Sequence, residues 1–206
     1  MADRITVTTG TVAGVQSPAG PRVARFIIAG QTQFGPTDAP RVVRNLRDYT
    51  NTFGARSGGA NMYDAAETFF ATGGSELVVQ RAFGATPVNA TISLSAGAIV
   101  VTAKNPGSYY NAWTAAYTTA TKTVTIVKGS TTVTYSGADL AGLQSAVSVD
   151  PDVTIVVTSL PGGNVTATAL AGGTDDFANV NWTNVLAKIG PAAGPGAVAV
   201  PGVGST

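Results

Sequence analysis

Residues 26–81 constrain this chain most, because apolar runs, helix caps and glycine stops alternate there so closely that only a layered strand–helix–helix–strand unit satisfies them. Phe26, Ile27, Ile28 and Ala29 form a continuous apolar run suited to a strand buried on both faces, and Gly35-Pro36 then turns the chain. Asn45 is a suitable N-cap for a helix in which Leu46, Tyr49 and Phe53 recur at i, i+3 and i+7. Gly54 supplies its stop. A second helix is predicted from Tyr63, Ala66 and Phe70 at the same spacing, with Phe69 beside them. Asn61 with Asp64 gives it a weak capping signal, and Gly73-Gly74 ends it. Leu77, Val78 and Val79 open another strand. Helical spacing of aromatics places Tyr49, Phe53, Phe69 and Phe70 in the core.

The pattern changes at Gly84 to Pro87. From Val88 to Leu170, β-branched residues alternate with polar ones: Ile92 and Leu94, Ile99 and Val101, Val124 and Ile126, Val133 and Tyr135, Val153, Ile155 and Val157. Short strands with turns this close together predict a β-sandwich or small barrel. One helix interrupts them, with Ser136 as its expected cap and Leu140, Leu143 and Val147 on its buried face. Beyond it, Trp182, Val185, Leu186 and Ile189 mark an amphipathic helix closed by Gly190-Pro191, and Ala197 to Val200 a short buried strand. At the other end, Ile5 and Val7 alternate with threonine, Val12 follows, and Ser17-Pro18 and Gly20-Pro21 break the run. A lone strand of this kind needs a sheet edge to join, and a second copy can provide one, so Ile5, Val7 and Val12 are the expected intersubunit contacts. The expected fold class is α/β (α+β): an N-terminal arm over 1–22, a core segment over 23–86, an inserted antiparallel β-sandwich-like domain over 87–170, and a final helix–strand segment over 171–206.

Among its 206 residues the chain has neither cysteine nor histidine, which removes disulfides, Ser-His-Asp and Cys-His catalysis and the usual zinc sites. Asp175-Asp176, and Asp150 and Asp152 around Pro151, are the carboxylate pairs that a two-acid hydrolase or a Ca²⁺ site would need. Aspartates beside proline or before a helix are more simply read as turn and capping groups, so no catalytic residue, metal or cofactor is expected. Gly172-Gly173 lacks the Lys and Ser/Thr of a P-loop. A net charge of +1 offers no general attraction to nucleic acid, and no stretch is long and apolar enough to cross a membrane as a helix or to serve as a signal peptide core, which predicts folding in the cytoplasm. One alternative function is a carbohydrate- or receptor-binding module in which Tyr109, Tyr110, Trp113 and Tyr117 stack on a ligand; the same four can equally anchor a core or a subunit interface.

The order of several short motifs resembles that of contractile-tail sheath proteins of phages and related injection systems. The motifs are Gly35-Pro36, Asp48-Tyr49, Phe53-Gly54, Phe69-Phe70, Gly73-Gly74 and Val78-Val79 leading to Arg81. They continue with Ala103, Pro106-Gly107, Tyr109 or Tyr110, and Asn111, where Tyr110 stands at a position that tends to be Gly in the family. Leu170, Gly172-Gly173 and Asp175 follow, with Asp176 in place of the usual Gly. The resemblance implies a structural subunit, stacked in hexameric rings with copies of itself around a tail tube and bounded by baseplate and terminator proteins. It further implies contraction that drives the tube through a cell envelope, a location in the virion tail, and a subtilisin-like α/β domain whose incomplete start is 171–206 and which continues, with a C-terminal arm, further than this chain does.

Overall fold

The computed structural model describes residues 25–57, 62–190 and 196–201. The arm and its Ile5, Val7 and Val12 lie outside them, as does the expected cap Asn61. The architecture is the α+β arrangement the sequence predicts, with a mixed sheet carrying helices and a block of antiparallel strands set into it.

The mixed sheet has β1 (Arg25–Gly30) at its centre, parallel to both β11 (Gly196–Ala199) and β3 (Leu77–Arg81), with β2 (Arg41–Val43) antiparallel on the far side of β3. Successive side chains of a strand point to opposite faces, so Ile28 and Val79 meet Tyr49, Phe53, Met62 and Ala66 of the helices α1 (Leu46–Phe53) and α2 (Met62–Ala71). Ile27, Ala29 and Val78 meet Val185 and Ile189 at α4 (Trp182–Ala187) on the other face. Burial on both faces explains why these strands are continuous apolar runs.

Helix α1 starts and stops as the sequence predicts. Asn45 Oδ1 accepts from the Asp48 amide at 2.7 Å, and Gly54, at φ 93°, donates its amide to Thr50 O at 3.0 Å. Tyr49 and Phe53 are fully buried, whereas Phe69 and Phe70 are only half-buried. Phe69 still packs, stacking on Phe26 at 5.5 Å between ring centroids. One strand was not expected, and two other expectations change. Strand β2 carries no alternation signal, because it is only three residues long. Strand β11 is largely exposed, with Val198 at 49%, since among the described residues it is the edge strand and pairs with β1 alone. On α4 only Val185 is buried, and Leu186 faces outward at 39% exposure.

The antiparallel block contains two sheets. Strands β10 (Val165–Ala169), β6 (Thr114–Thr118), β7 (Thr123–Lys128) and β8 (Thr131–Ser136) form one in that order, and β4 (Thr91–Leu94), β5 (Ile99–Ala103) and β9 (Val153–Val157) the other. Their inward residues, among them Ile99, Val101, Tyr117, Val124, Ile126 and Val157, share one core with Leu143 and Val147 of α3 (Leu140–Val147). Asp139, not Ser136, caps α3, its Oδ1 accepting from the Gly142 amide at 2.8 Å. Ser136 is used as the last residue of β8, and the intervening Gly137 lies so close to Leu143 N that a Cβ would sit 2.1 Å away. The chain enters the block after β3 and leaves it after β10. The inbound and outbound limbs pair with each other through isolated bridges, Gly84 with Val180, Val88 with Thr174 and Thr91 with Ala171.

Candidate functional site

The chemistry of this chain concentrates where the two limbs meet the sheets. Strand β3 is buried at all five positions, and the last is Arg81, with no exposed surface at all. A guanidinium is the most hydrophilic group a strand could carry inward, so it must be paired. Its Nη1 donates to Gly35 O at 2.7 Å, in the loop after β1, and its Nη2 is hydrogen-bonded to Asp175 Oδ1 on the outbound limb. The other oxygen of Asp175 accepts from the Ser108 amide at 3.0 Å and its hydroxyl at 2.9 Å, at the start of a 3₁₀ turn (Ser108–Ala112) of the antiparallel block. One ion pair thus ties four segments together. Burial pulls the guanidinium below its usual affinity for a proton, and the nearby Tyr110 and Asp175 push it back up.

The glycines around this pair are steric requirements. Gly107 stands at φ 142°, and a Cβ there would come within 2.7 Å of Asp175 Oδ1 and 2.9 Å of Arg81 Nη2. A Cβ on Gly173 would lie 2.4 Å from Gly107 O. The Asn111 side chain and Gly173 exchange a reciprocal pair of bonds, 3.0 and 2.8 Å long, between the block and the outbound limb. Tyr110 Oη accepts from the Gly35 amide at 3.2 Å, and Phe34 stacks on Tyr109 at 4.5 Å. Burial raises the Tyr110 pKa, partly offset by that amide and by Arg81. Tyr110 sits in the 3₁₀ turn without positive φ, so the site takes tyrosine where the resembling family tends to have glycine. Asp176 does occupy the left-handed region, φ 52°, where glycine would be unstrained. It is held by the Thr86 amide and hydroxyl, both at 3.0 Å, and by Asn179 at 2.7 Å, and these bonds keep its carboxyl below the ordinary range.

The second carboxylate pair sits inside the block. Asp150 Oδ1 accepts from the amides of Asp152 and Val153, as turn chemistry predicts, and also from Lys128 Nζ at 2.7 Å. Tyr135 donates to Oδ2 at 2.7 Å, and Asp152 flanks the same ammonium at 2.8 Å. Burial alone would raise the Asp150 pKa, but these donors outweigh it and hold it low; the same contact, with burial, pushes Tyr135 up to about 12. Asp175 departs further from the expectation, being a buried ionic partner and not a turn residue. The sequence reading therefore missed the roles of Arg81, Ser108 and Lys128. The one visible signal was a charged residue closing the run Leu77-Val78-Val79-Gln80.

Of the proposed stacking platforms, Tyr110, Trp113 and Tyr117 are 3%, 6% and 1% exposed, so they anchor the core instead. Tyr109 is half-buried beneath Phe34. Among the described residues no group of three or more His, Cys, Asp or Glu could hold a metal ion, and no helix is long and apolar enough to cross a membrane. The arrangement positions segments of the chain relative to one another.

No protein-family model matches this sequence, and no curated protein does. Solved structures do. A sheath tail protein from Listeria innocua is similar with a TM-score of 0.62 at 20% identity, covering 89% of this chain and 41% of that one. A sheath tail protein from Desulfitobacterium hafniense has a TM-score of 0.62 at 15% identity, covering 99% of this chain and 46% of that one. The chain thus spans less than half the length of either, and its fold is the fold of part of these sheath tail proteins.

Proposed function

We propose that this chain is a structural, non-enzymatic part of a contractile tail sheath. In this reading it polymerises with copies of itself in stacked hexameric rings around a tail tube, contacts baseplate and terminator proteins at the ends, and belongs to a virion tail assembled in the host cytoplasm. Contraction then drives the tube through the cell envelope, the free energy having been stored during assembly in a bistable lattice of near-rigid subunits. The observation that carries the reading is the likeness of almost the whole chain, mixed sheet and antiparallel block together, to two sheath tail proteins. The boundaries 1–22, 23–86, 87–170 and 171–206 belong to the same proposal, as does intersubunit contact by Ile5, Val7 and Val12.

Negative-stain microscopy of the full gene product, beside the same product lacking residues 1–16, tests it. Tubes or rings from the first and dispersed particles from the second are expected. Dispersed particles from the intact product at every concentration overturn the sheath reading, and tubes of normal length from the deletion overturn the arm.

A further inference from the structure

The antiparallel block is joined to the mixed sheet by a narrow bridge. Residues 82–90 and 171–181 connect the two, paired by isolated bridges and not by a continuous ladder, so the limbs themselves resist bending weakly. Gly172 stands at φ 78° with open space where a Cβ would be, a free turn beside the closely packed Gly173. Open clefts flank the bridge. One, of about 570 Å³, has Pro36, Asn51 and Thr52 on the side of the mixed sheet, and Thr131, Tyr135 and Asp152 on the other. A second, of about 500 Å³, runs between Gln33 and Ser57 and the residues Ser108, Ala112 and Asp175. What spans the bridge is the Arg81–Asp175 pair with its bonds to Gly35 and Ser108, the stack of Phe34 on Tyr109, and the bond from the Gly35 amide to Tyr110.

We infer that this neck is a latched hinge. With Arg81 and Asp175 engaged, the block and the mixed sheet move as one body; with them apart, the block pivots on its two limbs into the flanking clefts. The rigidity comes from the shape of the groups involved. A guanidinium is a planar fork that fixes direction as well as distance, and here its two ends bind the loop after β1 and the outbound limb. Asp175 extends the same constraint through its second oxygen into the 3₁₀ turn of the block. Among the described residues, the other contacts reaching from the mixed sheet to the block, a ring stack and one amide-to-hydroxyl bond, tolerate sliding and tilt, and the Asn111–Gly173 pair ties the block to the limb and not to the mixed sheet. The inference concerns the isolated chain and holds whether or not the chain polymerises.

Because the chain has no cysteine, two introduced thiols report on the bridge without interference. Asn51→Cys and Thr131→Cys, both exposed and on opposite walls of the larger cleft, carry spin labels for pulsed dipolar spectroscopy. The parent should give one narrow distance distribution. Arg81→Met with Asp175→Leu removes both charges together, leaving no orphaned ion in the core, and should at least about double the width of the distribution or add a longer component. Its β-type circular dichroism and cooperative melting should be kept. Asp175→Asn, which preserves shape and removes charge, should fall between the two. A distribution as narrow as the parent's in the folded double variant overturns the hinge, since the other contacts would then suffice. Loss of β structure in both variants also overturns it, since the pair would then maintain the fold and not the angle. The assembly of the full gene product is read separately, so failure here leaves the sheath reading standing.

Discussion

Asp150→Ala should cost about 4 kcal/mol of folding stability. The wild-type carboxylate is essentially inaccessible to water and satisfies four donors: Lys128 Nζ, Tyr135 Oη and the amides of Asp152 and Val153. Breaking a buried ion pair from one side costs about 3–5 kcal/mol, chiefly because the remaining charge is left without a partner. Here Lys128 retains Asp152 at 2.8 Å, which moderates that part. The two amides and the tyrosine hydroxyl lose their acceptor, and each unsatisfied buried donor costs about 1–3 kcal/mol, reduced where water fills the vacated space. For a chain of this size about 4 kcal/mol lowers the melting temperature by roughly 8–16 °C.

The pH dependence supplies an independent check of the same residue. Its folded pKa lies below the unfolded value of about 3.9, so its contribution is fully present above about pH 4–5 and is lost as pH falls through the folded pKa. The difference in stability between wild type and Asp150→Asn should therefore be flat from about pH 5 to 8 and shrink below about pH 4. Urea titrations followed by tryptophan fluorescence suit the measurement, because Lys128 Nζ lies 5.6 Å from the centre of the Trp113 ring. A loss below about 1 kcal/mol for Asp150→Ala, or a difference that persists unchanged to pH 2, would refute the reasoning.

Gly107→Ala should destabilise by about 2–4 kcal/mol in the same titration, because it combines positive φ with a collision against both members of the ion pair. Gly73→Ala, at φ 93° but with nothing within 4 Å, should cost only the backbone strain of about 1–2 kcal/mol. Ala96 sits at φ 52° in the hairpin between β4 and β5, and Ala96→Gly should raise stability by about 0.5–1 kcal/mol, net of the greater freedom of glycine in the unfolded chain. Asp176→Gly should melt close to wild type, since relief of the left-handed backbone offsets the lost bonds to Thr86 and Asn179. Asp176→Ala, which keeps the strain and loses the bonds, should melt lower.

Local order was legible wherever one physical signal dominated. The run Phe26 to Ala29 and the run from Leu77 to Val79 gave their strands, because strands covered on both faces are apolar over most of their length. Asn45 and Gly54 bounded α1, because the cap and the stop satisfy backbone groups that no other residue nearby could serve. Alternation over Ile99 to Ala103 and Val153 to Val157 gave half-buried strands that lie side by side. The signal failed for short or edge elements: β2 has no period to read, β11 is apolar yet exposed, and α3 takes its cap from Asp139, where the distance to the first turn and not residue type distinguishes it from Ser136.

The neck was beyond any such reading. Arg81 and Asp175 are 94 residues apart, and Gly35, Ser108, Asn111 and Gly173 are scattered between or before them, so nothing local states that they meet. Residue types and spacing supplied the pieces: a charge at the end of an apolar strand, a Pro-Gly turn, a Gly-Gly before an acid. Pairing them required the crossing of β3, the inbound limb and the outbound limb in one place, because a buried charge is tolerable only beside its counter-charge, and that proximity is a property of the fold.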